Sequence, residues 1–135
     1  MKIRRFEDLN IWKASLSLAK AIYEVTAKGD FSRDFGLRDQ IRRAAVSVNS
    51  NIVEGFEKNN NNEFARFLRI AKGSAGEVRS QLHIARAVGY ITQKEFSALA
   101  VDFEALSAQI GKFIAYLEQN RRDNKKSTKM NSSAR

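Results

Sequence analysis

The segment TQKEFSALAVDFEALSAQIGKFIAYLEQ, residues 92–119, decides the fold class of this chain. Its large apolar residues alternate at spacings of three and four over three heptads, which is the pattern of one buried helix face in a bundle or coiled coil. These residues are Phe96, Leu99, Phe103, Leu106, Ile110, Phe113 and Leu117. Thr92 and Glu95 form a capping box, in which each side chain satisfies a backbone amide of the first turn. The segment therefore predicts one long helix that begins near residue 92.

Three further stretches have apolar residues at the same spacing, and they predict helices over about residues 8–28, 34–57 and 62–88. Short breaks at glycine or asparagine residues separate them. The expected core face of the second helix is Leu37, Ile41, Ala44, Val48 and Ile52. The expected core face of the third is Phe64, Leu68, Ala71, Ala75, Val78, Leu82 and Ala85.

The first predicted helix carries two neighbouring apolar rows. One row is Leu9, Trp12, Leu16, Ala19 and Tyr23, and the second is Ile11, Leu18, Ile22 and Val25. A partly exposed outer helix needs a narrower apolar face than this. We therefore expect the first helix to be buried on two sides or to contribute to a subunit interface.

The connections between the predicted helices are too short for crossovers, which favours antiparallel neighbours. The chain has 135 residues and no proline, so no position is barred from a helix interior. The expected fold is all-α, an antiparallel up-down-up-down four-helix bundle that occupies residues 1–119 as one domain. Residues 120–135 hold six basic residues and one acidic residue with little to bury, and we expect a disordered basic tail there.

The basic residues suggest a nucleic-acid interaction. The formal net charge is +9, of which the tail contributes +5. Basic residues form a stripe beside the apolar seam of the third helix, and Arg38 and Arg42 repeat this arrangement on the second. The stripe consists of Arg69, Lys72, Arg79, His83 and Arg86. Such a stripe could follow a phosphate backbone; alternatively, Asp39, Glu63, Glu77 or a neighbouring subunit pairs with these cations.

The sequence offers little for catalysis or metal binding. Cysteine is absent, and the single histidine, His83, has neither a second histidine nor a carboxylate three residues before it. We expect His83 at the surface or its boundary, and we expect no enzymatic activity, cofactor or metal. An active site built on Glu54, Glu57 or Glu77 ranks last among the hypotheses. Without a signal-peptide pattern or a membrane-length apolar run, the expected compartment is the cytoplasm.

Small residues, GSAG at 73–76, fall in the middle of the third helix. Each glycine costs a helix about 1 kcal/mol relative to alanine. We expect a close approach by a neighbouring helix to compensate for this cost. The rival interpretation, a phosphate-binding glycine loop, is weak because the glycines lie mid-helix, lack the P-loop spacing and do not follow a strand.

Several motifs, in order along the chain, resemble one bacterial family. They are FEDLNIW at residues 6–12, FGLRDQIRRAAVSVNSNIVEG at 35–55, AKGSAGE at 71–77 and GYI at 89–91. From about residue 5 to residue 118 the chain is similar to the four helix bundle protein family, also called the 23S rRNA intervening-sequence protein family. Ser32 departs from the pattern, because the family commonly has proline there.

The resemblance implies a homopentameric ring of antiparallel bundles with no established enzymatic activity. It also implies kinship with accessory proteins of diversity-generating retroelements, whose basic rings engage nucleic acid and a reverse transcriptase. Polar residues shared with the family fall on the second and third helices, where we expect a network between the helices or a subunit interface. They are Gln40, Arg43, Ser47, Asn51, Glu54 and Glu77, accompanied by Gly55, Gly73 and Ser74.

Two functional hypotheses follow. The first is a non-catalytic oligomeric module that binds RNA or DNA without base-specific recognition. Its electrostatic surface would comprise the tail together with Arg38, Arg42, Arg69, Lys72, Arg79 and Arg86. The second is a protein-protein interaction scaffold with no nucleic-acid role. The expected partners are further copies of the chain, in a pentamer, and RNA, DNA, a reverse transcriptase or another protein, but no membrane.

Overall fold

The structure, a computed structural model, describes residues 2–120 in full and the helical backbone of residues 121–133. Short 3-10 turns at Phe6–Asp8 and Gly29–Arg33 precede the first and second α-helices. The helices are α1 (Asn10–Thr26), α2 (Phe35–Glu57), α3 (Asn61–Ala87) and α4 (Gln93–Ser133). Residues 2–133 contain no β-strand, which confirms the predicted all-α class. Beyond Asn120, the predicted disordered tail lies outside the fully described residues.

The four helices pack as a closed ring. Each helix contacts its neighbours in sequence, and α1 also contacts α4. Only a few residues connect consecutive helices, so these run antiparallel. The packing confirms the predicted bundle. It also places the groove between α1 and α2 on the opposite side of the ring from the groove between α3 and α4.

The core runs along the bundle axis and consists largely of the predicted seams. Every predicted seam residue of α3 is buried. The seams of α2 and α4 are buried too, except that Leu37, Phe96, Leu99 and Phe113 are half-buried and pack at the core's edge. Hydrophobic burial along these three faces provides the main stabilisation of the bundle.

The two apolar rows on α1 are buried to different extents. The row of Ile11, Leu18, Ile22 and Val25 is buried throughout. In the other row, Leu9 is buried and Trp12 and Ala19 pack half-buried against the core, whereas Leu16 and Tyr23 remain 52% and 44% exposed. The expected burial on two sides is therefore only partly found within the chain. The alternative, a subunit interface, stays a prediction.

The glycines of α3 do not provide the close helix approach that we expected, and this prediction is wrong. A Cβ atom added at Gly73 or Gly76 would meet nothing within 4 Å. The close approach lies instead at Gly55 on α2, where an added Cβ would be 2.8 Å from the Cβ of Phe67. The two α3 glycines therefore border open space and not a neighbouring helix.

Side-chain caps fix where the helices begin. The side chain of Asp34 accepts a hydrogen bond of 3.1 Å from the amide of Leu37 at the start of α2. The predicted capping box at the start of α4 is confirmed. Thr92 N donates to Glu95 Oε1 at 2.8 Å, and Glu95 N donates to Thr92 Oγ1 at 3.1 Å. These bonds satisfy amides that have no partner within the helix.

Candidate functional site

The predicted cations of α3 lie on the side of that helix that faces α4. Arg69 forms an ion pair with Glu118 of α4. Near the other end, Arg86 Nε donates to Gln93 Oε1 at 3.1 Å. The exposed His83 ring packs edge-on against Phe96, with 4.7 Å between the ring centroids. These residues therefore lie on one side of α3, as their spacing in the sequence predicted.

Between these ends, α3 and α4 form an open groove of about 620 Å³. We call it the α3/α4 groove. Its lining residues are Arg69, Lys72, Gly73, Arg79, Ser107, Gly111, Ile114 and Glu118. Three cations and one carboxylate therefore line the groove, which has a net charge of +2.

Lys72 and Arg79 are the unpaired cations of the α3/α4 groove. Among residues 2–120, neither has a hydrogen-bond or ion-pair partner. The side chain of Lys72 extends over Gly111, since a Cβ atom at that position would lie 3.7 Å from Lys72 Cε and 3.9 Å from Nζ. The absent side chain at Gly111 thus lets the ammonium group lie close to α4.

Ser107 also lines the groove, although no sequence pattern singles it out. The residue is only 8% exposed, and its Oγ has no hydrogen-bond partner in the described part of the chain. A buried hydroxyl without a partner is unfavourable. Its position next to Leu106 in the seam marks it only as a small residue at the core's edge, so periodicity could not reveal the missing bond.

Arg38 and Arg42 lie elsewhere, on the opposite side of the ring. Arg38 Nε donates to Asp39 Oδ1 at 2.9 Å, and the guanidinium stacks 4.7 Å from the ring centroid of Phe35. This hydrogen bond holds the pKa of Asp39 below its ordinary value of 3.8, and the charge of Arg38 adds to the effect. For Arg38, then, the pairing that we considered as an alternative to phosphate binding is present.

Arg42 is engaged with the last turn of α1. Its Nε donates to Thr26 Oγ1 at 2.7 Å, and its Nη2 donates to the carbonyl oxygen of Tyr23 at 3.4 Å. The guanidinium also lies 4.6 Å from the centroid of the Tyr23 ring. A cation at this position complements the carbonyl groups at a helix C-terminus. The structure therefore divides the predicted basic surface into two separate parts.

Two of the acidic residues considered as partners do not pair with the stripe. Glu63 forms its ion pair with Arg66, at 2.9 Å. Glu77 is exposed and has no partner among the fully described residues. Neither carboxylate neutralises Lys72 or Arg79, so these two cations remain available to a ligand.

The family-shared polar residues form a smaller network than expected. Ser47 Oγ and Ser74 Oγ are 2.9 Å apart, which joins α2 to α3. Asn51 Nδ2 donates to the Ser47 carbonyl oxygen at 2.8 Å and to Ser47 Oγ at 3.0 Å. The other members of the predicted set are exposed: Gln40, Arg43, Glu54 and Glu77. The network therefore fastens two helices, while its charged members face outward.

Within residues 2–120, no group of three or more histidine or acidic side chains is placed to hold a metal ion. Nor is any helix in the described part long and apolar enough to cross a bilayer.

Comparisons with known proteins identify the family. One solved structure that resembles this chain is a protein of unknown function from the S23 ribosomal protein family of Bacteroides thetaiotaomicron. It has a TM-score of 0.70 and 23% sequence identity, and the alignment covers 77% of this chain and 97% of the other. This likeness supports the fold alone. A search of curated proteins found no match. The sequence profile described as 23S rRNA-intervening sequence protein matches residues 7–112, and the chain therefore belongs to that family.

Proposed function

We propose that this protein is a non-catalytic, oligomeric RNA-binding or accessory module that contacts phosphates through the α3 side facing α4. The observation that carries the proposal is the pair Lys72 and Arg79, which lie beside an open groove without a partner in residues 2–120. A polyanion gains more binding free energy from unpaired cations than from paired ones, because no internal ion pair has to be broken.

The dimensions of this surface suit a nucleic-acid backbone. The predicted stripe runs from Arg69 to Arg86, which lies 17 residues further along, or about 25 Å along the helix axis. Such a length can contact several consecutive phosphates, and each contact adds affinity by releasing counterions. No side-chain arrangement for reading base edges accompanies the stripe in the described residues. We therefore expect binding that depends strongly on salt and weakly on base sequence.

Family membership favours RNA over other polyanions, because the family takes its name from sequences that interrupt 23S rRNA. By the same resemblance we propose a homo-oligomer, a pentamer. We also propose the cytoplasm as its compartment. The same proposal includes DNA as a ligand, and a reverse transcriptase or another protein as a partner. The exposed apolar residues Leu16 and Tyr23 on α1 are consistent with assembly.

A protein-protein interaction scaffold is the second candidate. It is favoured by large apolar side chains that stay exposed in the single chain, among them Phe35, at 64%, and Val101, at 62%. Phe35 is also stacked by Arg38, which would present a mixed cationic and aromatic surface to a protein. In this case nucleic acid would have no role.

Salt titrations of binding would separate the two candidates. The full-length chain and a version ending at Asn120 would be titrated against RNA and DNA at low and moderate ionic strength. We expect both forms to bind RNA. If neither form binds at low ionic strength, nucleic-acid binding is rejected and the scaffold is favoured. Binding that disappears with the tail alone would place the site outside the bundle.

Variants would then assign binding to the α3/α4 groove. Replacing both Lys72 and Arg79 by alanine should weaken RNA binding about tenfold or more at low salt, because two phosphate contacts are lost. Lys13 and Lys20, both exposed on α1, serve as a control pair with the same change in charge. Equal loss of affinity in both double variants would mean that only net charge matters.

A further inference from the structure

We propose that the α3/α4 groove is a binding site for one phosphate group, held by Lys72, Arg79 and the hydroxyl of Ser107. The inference rests on the proposed function where the phosphate belongs to an RNA backbone, and it names the point at which that backbone would be fixed. A small phosphorylated solute would offer the same chemistry.

The first argument is the unused hydroxyl of Ser107. Buried serine and threonine residues in helices ordinarily donate to a carbonyl of the preceding turn. Two such residues of this bundle do so: Ser15 Oγ donates to the Trp12 carbonyl at 2.7 Å, and Thr26 Oγ1 to the Ile22 carbonyl at 2.7 Å. Ser107, which is 8% exposed, has no such bond. The residue lines the groove, but its Oγ is itself buried, so a rotation of the side chain would bring this unpartnered donor to a ligand.

The second argument is the space above the backbone. Gly73 lines the groove, and a Cβ atom added there would meet nothing within 4 Å. A mid-helix glycine weakens the helix, and here no neighbouring helix packs into the gap. On the facing helix, Gly111 lets Lys72 lie close to the backbone. A ligand that enters between the helices would explain the glycine at position 73.

The third argument is the charge and the geometry of the donors. Glu118 pairs with Arg69 at one end, which leaves the positive charges of Lys72 and Arg79 uncompensated by described residues. A backbone phosphate of RNA is a diester with one negative charge and two non-bridging oxygens, whereas the phosphate monoester of a small solute carries close to two negative charges and three strong acceptor oxygens. An ammonium, a guanidinium and a hydroxyl approaching from two helices match those oxygens. The carboxylate of Glu118 would repel an anion from the Arg69 end and so limit the site to a single phosphate.

Phosphate titration followed by NMR would test the site. The full-length, isotopically labelled protein is titrated with inorganic phosphate against chloride at equal ionic strength. We expect saturable shifts of the Gly73 and Gly111 amide signals. Ser107→Ala should weaken phosphate binding about tenfold, the effect of losing one hydrogen bond to a charged group. Ser97→Ala, an exposed position on the same helix, is the control and should leave it unchanged.

A second variant guards against an ambiguous result. Gly73→Leu fills the open space and should abolish the shifts at Gly111.

A competition experiment then identifies the source of the phosphate. If an RNA oligonucleotide displaces inorganic phosphate, the bound group belongs to nucleic acid. If phosphate binds but RNA does not compete, the site serves a small solute and the proposed function fails. Absence of saturable shifts, or unchanged affinity in Ser107→Ala, overturns the phosphate site even if RNA binds elsewhere.

Discussion

Arg42 and Arg79 are both arginines beside an apolar seam, but their surroundings assign them different roles. Arg42 donates to Thr26 Oγ1 and to the carbonyl of Tyr23, and so joins α2 to the last turn of α1. Arg79 has no partner within residues 2–120 and lines the α3/α4 groove. One guanidinium is occupied by its own chain, and the other is available to a ligand.

Replacement of Arg42 by alanine should therefore reduce stability without reducing RNA affinity. We expect the free energy of unfolding to fall by about 1–2 kcal/mol, because two hydrogen bonds and a cation–π contact are lost. Urea denaturation and RNA titration would measure the two effects. Arg79→Ala is the matched control, with the opposite expected pattern. A large loss of RNA affinity in Arg42→Ala at full stability would show that the two sides of the ring act together.

Substitution of glycine by alanine should have opposite effects at two positions. At Gly55 the added methyl group would lie 2.8 Å from Phe67 Cβ and 3.2 Å from the Phe64 carbonyl oxygen, so α2 and α3 must separate. We expect a loss of about 1–3 kcal/mol. At Gly73 the methyl group meets nothing within 4 Å, and we expect a gain of about 0.5–1 kcal/mol from helix propensity. Thermal unfolding of both variants checks this; stabilisation by Gly55→Ala would contradict the packing.

The hydroxyl of Tyr90 predicts a pH dependence. It donates to Asp34 Oδ2 at 2.9 Å, and this hydrogen bond to a carboxylate raises the pKa of Tyr90 above its ordinary value of 10.0. Because the folded-state pKa is raised, the stabilisation is complete below pH 10 and is lost as the pH rises through that folded-state value. Tyr90→Phe should therefore be less stable than the wild type at pH 8.

Urea unfolding at several pH values measures this effect. The stability difference between the wild type and Tyr90→Phe should shrink as the pH rises above 10. Tyr116→Phe is a suitable control, since the Tyr116 hydroxyl has no hydrogen bond within residues 2–120. A difference that is constant across this pH range would show that the bond to Asp34 does not govern the ionisation of Tyr90.

At the scale of the elements, the features predictable from sequence are those set by neighbours along one helix. The seam of α4 and the capping box at Thr92 and Glu95 depend only on spacings of three and four, and the structure contains both. The shared side of the α3 cations follows from the same periodicity. These predictions succeed because the geometry of a single helix determines them.

Features that depend on which helix lies opposite could not be predicted in this way. Spacing showed that Arg42 flanks the α2 seam, but only the packing shows that this flank faces α1. The small residues of α3 suggested a close contact between helices. The close contact is instead at Gly55 of α2, which packs against Phe67. The missing hydrogen bond of Ser107 depends on its surroundings in three dimensions and has no sequence pattern.

For the whole molecule, the ring order of the helices limits what one chain can bind. The α1/α2 groove and the α3/α4 groove lie on opposite sides, so a straight strand that lies along α3 does not meet Arg42 of the same chain. A strand would contact both sides only by bending around the bundle or by reaching another copy of the chain. The oligomeric state therefore decides whether the basic surfaces work singly or as a continuous array.

The exposed part of the second apolar row of α1, at Leu16 and Tyr23, is the part of the bundle that we expect to mediate assembly. Leu16 is 52% exposed, and Tyr23, two helical turns further along the same row, is 44% exposed. Leu16→Glu should convert the oligomer to monomers, because a charge buried in an interface without a partner is strongly unfavourable. Light scattering after size-exclusion chromatography would measure the mass, and circular dichroism would show whether the helices persist. Ser17→Glu, on another face of α1, should keep the wild-type mass. An unchanged oligomer in Leu16→Glu would exclude this row from the interface, and a monomeric wild type would reject the proposed assembly itself.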